Sequence, residues 1–252
     1  MMAFSDEEWS LRHDLANLYH LIEHFGWHEM IMNHISVRLP EGDRYLVNPF
    51  GLNYSEITPA NLLVVNVDGE LIGASDYGAN PAGFALHGAI HTHRHDIRCV
   101  AHTHTIPISA VAMKDAGFDH NNFYGAQLIG RVAYHEFEGI TLFADERDRM
   151  VASLGEKDVL VLRNHGVAVC ERDIPSTFML HYIVQRAAEV QCQAGMIPGG
   201  DRKISDDVME RCRISAARLS ESNRFSTLLF ESQVRAMRKA KPVEWYRPDR
   251  AS

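Results

Sequence analysis

Residues 158–170, DVLVLR-NHG-VAVC, leave little choice of structure: two short apolar strands fold back on each other around a three-residue turn. The same pattern of short strands and tight turns recurs upstream. Residues 35–39 (ISVRL) alternate apolar and polar like a half-buried strand, and 44–48 (RYLVN) form another. LLVVNV and ELIG flank Asp68-Gly69, a pair suited to a type I′ hairpin turn. IRCVAHTH (97–104) is rich in β-branched residues, and ITLF (140–143) reads as a further strand. Helical signals lie between and after these strands. Ser5 and Glu8 form a capping-box pattern, Leu11, Leu15, Leu18, Ile22 and Phe25 follow at helical spacing, and Gly26 ends the run. Pro81 opens a helix to about His95, Ile108, Val111 and Ala112 mark a short one, and Asp145–Leu154 another. From Pro175 the chain is mostly helical, over 175–194, 206–220 and 223–240. No repeat or linker divides it. The expected fold is α/β: one domain over 1–252, with a central, mostly antiparallel sheet flanked by helices.

Composition narrows the function classes. The net charge of −8 gives nucleic acid or an anionic membrane no electrostatic purchase. No apolar run approaches the length of a bilayer span, and the opening MMAFSDEEWS is acidic where a signal peptide is basic and then apolar. Cys99, Cys170, Cys192 and Cys212 show neither CxxC pairing nor disulfide-framework spacing, so they read as reduced thiols. The expected address is the cytoplasm.

Fifteen histidines are the compositional anomaly. His102 and His104, two apart on a strand, project from one face, the spacing that two neighbouring metal ligands need. His165 sits in the turn Asn164-His165-Gly166. Three neutral imidazoles with an open fourth position describe a catalytic rather than a structural metal site. A rival set, His87, His91 and His95, shares one face of the predicted 81–95 helix at i,i+4 spacing. It reads either as zinc ligands or as a polar stripe on a partly exposed helix.

PAGFALHGAIHTHRHDIRCVAHTHTIPISAVA (81–112) resembles the core motif of class II aldolases and adducin heads, in which a His-bearing helix turns into a strand ending His-x-His. VLVLRNHGVAVC resembles the family's second signature, and NHISVRLP and YLVNPFGLNYSEITPANLLVVNVDGE resemble its N-terminal half. The resemblance covers about residues 10–195, with the helices of 206–240 beyond it. It implies that His102, His104 and His165 hold one divalent ion, zinc foremost, with iron or manganese as alternatives. It also implies a homotetramer with sites at subunit boundaries and a small-molecule substrate.

Departures from the family pattern matter as much. Its sugar-phosphate aldolases carry Ser-Ser-Glu where this chain has Pro81, Ala82 and Gly83, and that Glu is the proton-abstracting base. Asn33-His34 replaces the family's Gly-Asn, and Phe50-Gly51 replaces the Thr-Gly of its phosphate loop. A phosphate dianion needs donors that Phe50, Pro81 and Ala82 do not supply. The expected site therefore takes a less charged, unphosphorylated hydroxy- or oxo-acid, aromatic ones included, with His34, Arg38, Phe50 and Gly83 around it. The expected reaction is metal-dependent C–C cleavage or decarboxylation. Tyr124, near where the aldolases place a tyrosine from a neighbouring subunit, and His135 are the candidate proton donors. An iron-dependent oxygenase and a non-catalytic adducin-like module are the alternatives.

Overall fold

The computed structural model describes residues 4–40, 43–140 and 144–248. Seven strands form one sheet: β1 (His34–Arg38), β2 (Tyr45–Val47), β3 (Leu63–Val65), β4 (Cys99–Thr103), β5 (Val132–His135), β6 (Val159–Leu162) and β7 (Gly166–Glu171). Their spatial order is β3-β2-β1-β4-β7-β6-β5. Every pairing is antiparallel except β5 with β6, which runs parallel. The helices are α1 (Asp6–His24), α2 (Pro81–His93), α3 (Ile106–Ala112), α4 (Arg147–Leu154), α5 (Ile174–Ala194), α6 (Asp206–Glu221) and α7 (Asn223–Ala240). The fold is that expected: α/β, mostly antiparallel, flanked by helices.

Helices cover both sheet faces, which changes what the strand patterns mean. On one side Leu15, Ile22, Phe178 and Phe230, from α1, α5 and α7, pack with Ile35, Val37 and Ala101. On the other, Leu86 and Ile90 of α2 and Met150 and Leu154 of α4 pack with Val100, Leu160 and Ala168. Burying one such aliphatic or aromatic side chain contributes about 1.5–3 kcal/mol. The alternation in ISVRL therefore does not mark a solvent face. Ile35 and Val37 enter the first layer, while His34 and Ser36, also buried, turn toward α2.

Several local expectations need correction. Ser5 caps α1 by accepting from the Glu8 N–H at 3.0 Å, but the Glu8 carboxylate pairs with Arg12 at 2.7 Å instead of closing a capping box. The Asp68-Gly69 hairpin is not type I′: only Gly69 has positive φ (+80°), its N–H donates to Asn66, and the return arm is one bridge between Val65 and Leu71. A type I turn followed by a left-handed glycine gives a three-residue loop of this kind. Helix α2 stops at His93, leaving His95 exposed in the following turn. The strand expected at 140–143 falls largely on residues 141–143, outside the described ones. The four cysteines are free thiols; Cys99 and Cys170 are buried, Cys192 and Cys212 half-buried.

Candidate metal centre

His102 reaches the site because β4 has a period of two and because Ala101 and Thr103 must face the opposite layer. His104 follows one residue beyond the end of β4. His165 comes from the three-residue β6–β7 loop, in which Asn164 takes the left-handed conformation (φ +57°). The next residue must be small, since a Cβ on Gly166 would lie 2.5 Å from the Thr103 carbonyl oxygen and 2.9 Å from the His104 ring. Ser109 donates to the His165 carbonyl at 2.8 Å and ties this loop to α3.

The three rings converge. One ring nitrogen from each of His102, His104 and His165 lies within 4.8 Å of the others, a set that could hold a metal ion. His104 Nε2 stands 2.6 Å from His102 Nε2 and 3.0 Å from His165 Nε2. The far nitrogens are tied down: His102 Nδ1 faces the Val167 carbonyl at 3.0 Å, and His104 Nδ1 faces Glu29 at 2.8 Å. Acceptors at both Nδ1 atoms place the protons there and leave two Nε2 lone pairs facing each other, an arrangement that a cation between them relieves. Burial holds His102 well below its ordinary pKa, with His104 and His34 adding to the shift, and burial with His104 lowers His165 to about 4. These two rings stay neutral, as ligands must be. The donor set thus fits a divalent ion.

Beside the triad lies a cavity of about 440 Å³. Ile31, Met32, Phe50, Leu86, Ile140 and Leu162 make its apolar wall; His34 and Asn80 join the triad as its polar lining. No Arg or Lys is among the described residues that line it. The ring of His34 stacks on His102 at 4.9 Å between centroids. Gly83 lies against His34, so a Cβ there would stand 2.9 Å from the imidazole Cγ and Cδ2.

The other sequence candidates lie elsewhere. Arg38 donates to the His91 carbonyl and pairs with the exposed Asp43 at 3.2 Å, a structural role that leaves it out of the cavity wall. His135 is buried at the end of β5, hydrogen-bonded to Ser153 at 2.9 Å, with Glu146 and Glu138 at 3.5 and 3.6 Å. Tyr124 is half-buried against Tyr182 and the α3–α5 layer. Neither is brought to the triad of its own chain. The rival helical set is no ligand group: His87 and His91 are fully buried and hydrogen-bonded to His34 and Ser36, replacing both the zinc reading and that of a half-exposed stripe. Glu29 went unnoticed in the sequence, because it sits in an irregular loop with no periodic pattern.

Fold and site together define an α/β protein with an open three-histidine centre at the end of a mostly antiparallel sheet. The family model for the class II aldolase and adducin N-terminal domain matches residues 13–192, and the chain belongs to that family. It is 40% identical over 190 residues to a Pseudomonas aeruginosa protein that carries an aldolase class 2 name, covering 75% of this chain and 73% of that one. Rat alpha-adducin is 36% identical over 203 residues, which cover 79% of this chain but only 28% of the adducin. Among solved structures, an aldolase II superfamily protein from Pseudomonas syringae matches with a TM-score of 0.90 and 32% identity, over 94% of this chain and 96% of that one.

Proposed function

We propose that this protein is a metal-dependent lyase that breaks a C–C bond, by retro-aldol cleavage or decarboxylation, in a small unphosphorylated hydroxy- or oxo-acid. His102, His104 and His165 are the proposed ligands of one divalent ion, zinc foremost. The observation that carries the reading is the cavity beside the triad: its wall is aliphatic and aromatic, and among the described residues no cationic side chain of the kind a phosphate dianion needs lines it. Gly83 supports it, because no carboxylate stands where the sugar-phosphate aldolases have their base.

The bound ion would supply Lewis-acid polarisation of a substrate oxygen. The chain's own residues do the rest. Glu29 and the Val167 carbonyl orient two of the imidazoles, Phe50 and Ile140 line the apolar side of the cavity, and His34 offers a polar contact beside His102. Loss of carbon dioxide leaves its own electron pair on carbon, so decarboxylation needs no proton-abstracting carboxylate, only a later proton donor. Tyr124 delivered by a neighbouring subunit of a homotetramer is the proposed donor. His135, buried beside Ser153, Glu138 and Glu146, is the alternative donor.

Metal analysis of anaerobically purified protein, followed by a screen of hydroxy- and oxo-acids for carbon dioxide or aldehyde release, tests the reading. Zinc or manganese with turnover supports it. Iron with oxygen consumption would replace it by an oxygenase. A metal-free protein inert to every acid would favour an interaction module, the reading to which the adducin relative lends weight.

A further inference from the structure

Residues 241–248, beyond α7, run back along α1 toward its start and are fastened there at two points. Trp245 is the first. The rings of His13 and His20 on α1 meet its indole edge-on, at 5.2 and 5.1 Å between centroids. Residues seven apart share one face of a helix, which is why both imidazoles reach the same ring. The Arg238 guanidinium of α7 lies over that indole, 4.0 Å from its centre. Arg247 is the second point: it pairs with Asp6 at 2.5 Å, donates to the Phe4 carbonyl and lies over Trp9.

The polar contacts that link these groups have one allowed sense. Arg238 donates to the Asn17 Oδ1 through Nε at 3.2 Å and through Nη2 at 2.7 Å. A guanidinium has donors only, so the oxygen end of the buried Asn17 amide must face it. The amide nitrogen is thereby turned to His13 Nδ1, 3.1 Å away. An NH2 group donates, so that Nδ1 must accept, and His13 is neutral while Trp245 is seated. A proton on Nδ1 would set N–H against N–H and place a second positive charge beside Arg238. Partial burial of the ring, with Arg238 adding, holds His13 below its ordinary pKa in the same sense. Its outer side is exposed, so solvent delivers the proton directly. His20 differs, because its Nε2 faces the Ile57 carbonyl at 2.8 Å, an acceptor that a charged ring keeps. Burial lowers His20, the Ile57 carbonyl and Glu23 oppose the shift, and Arg238 and Lys241 add to it; Lys241 itself pairs with Glu23 at 3.7 Å.

We infer that residues 241–248 form a pH-sensitive strap: a proton on His13 breaks its contact with Asn17 and frees Trp245 from α1. The seated strap disfavours the charged ring, whereas the released strap leaves it at about 6.5, the ordinary value. The seated form is therefore fully favoured above that pH and loses ground as pH falls. The carboxylates between α1 and α7 act in the opposite direction. Asp14 faces Glu231, and burial, with Glu231, lifts Asp14 to about 6. Its protonation relieves a repulsion and draws α7 toward α1. Release thus belongs to His13 and is not a general loosening of the helix pair.

Cleavage of the full chain after Glu244 by a glutamyl endoprotease tests it. Mass spectrometry follows the fragment 245–252, and a free peptide of residues 240–252 normalises the protease at each pH. From pH 7.5 to pH 5.5 the normalised rate should rise by up to about 10-fold, the effect of one proton one unit below 6.5. His13→Gln keeps an oxygen for the Asn17 amide and takes no proton, so its rate should be the same at both pH values. Asn17→Asp is the stronger test. The carboxylate still accepts from Arg238 and now also accepts from a protonated His13, so acid should slow cleavage instead of speeding it. Asp14→Asn should keep the wild-type rise. A rate independent of pH in the wild type overturns the inference, as does an equal rise in His13→Gln or an unchanged rise in Asn17→Asp. Circular dichroism checks that each variant is folded at both pH values, and His13→Gln, at an exposed position, decides the matter if the buried Asn17→Asp is not.

Discussion

Gly83 on α2 and His34 on β1 share one volume: a Cβ on residue 83 would stand 2.9 Å from the Cγ and Cδ2 of the imidazole and 3.0 Å from its Nε2. The position at which the sugar-phosphate aldolases carry their base is thus sterically coupled to the first link of a buried histidine chain. Restoring the carboxylate means evicting His34. Gly83→Ala should gain about 1 kcal/mol of helix propensity and lose about 1–3 kcal/mol to overpacking. The coupling is the sharper readout. His34→Ala should relieve the overlap, so urea unfolding of the double variant should give more stability than the two single changes sum to. Strict additivity would remove the steric argument.

Turnover of fuculose or ribulose phosphates by the natural chain should be negligible. A positioned general base is worth about 10²–10⁴-fold in rate, and position 83 has none. Gly83→Glu alone should not restore aldolase activity, because His34 blocks the side chain. Robust retro-aldol cleavage of a sugar phosphate by the unaltered protein would refute this.

The protein should bind about one divalent ion per chain, and His102→Ala, His104→Ala and His165→Ala should each abolish binding. Glu29→Gln should do less, weakening affinity by about 10–100-fold, because it removes the acceptor that orients His104 without removing a ligand. Chelator competition measures this. Equal affinity in Glu29→Gln would show that the 2.8 Å contact is incidental.

Stability of the metal-free protein should fall as pH drops. Burial, with Arg38, lowers His91 to about 3, and burial lowers His181 to about 4, against an ordinary value of about 6.5. Folded pKa values below the unfolded ones mean that the unfolded chain binds more protons across this window. Stability is therefore full above about pH 6.5 and is lost toward pH 4 and below, at about 1.4 kcal/mol per pH unit for each such histidine. Urea unfolding at pH 7, 6 and 5 gives the slope. His181→Gln, which keeps a partner for Thr103, should flatten it, and an unchanged slope in that variant would remove His181 from the account.

Tyr124 should act across a subunit boundary. Light scattering should find a homotetramer, and Tyr124→Phe should preserve metal content while slowing the proton step about 10²-fold. Hybrids of Tyr124→Phe and His104→Ala chains should regain activity at sites that pair an intact metal with an intact tyrosine. A stable monomer, or no recovery in verified hybrids, would return the proton step to solvent.

Residues 158–170 and 97–104 announced the central strands, and their spacing alone put His102 and His104 on one face, because a strand's period of two depends on nothing outside the strand. Helices 174–194, 206–221 and 223–240 were legible for a like reason: apolar spacing and caps act within a few residues. Their layering was not. The polar positions of ISVRL read as a solvent face until α2 covered them, and His87 and His91 looked like ligands or a surface stripe until Ser36 stood opposite. The type I turn ending at Gly69 and the loss of His95 from α2 likewise depended on surroundings that a local pattern cannot contain. The sequence by itself determined which residues could bind, through side-chain chemistry and local periodicity. Only the tertiary structure decided which ones meet, because Glu29 with His104, His34 with Gly83 and Ser36 with two helical imidazoles are contacts between segments 50 or more residues apart in most cases, joined by sheet pairing and layer packing rather than by sequence spacing.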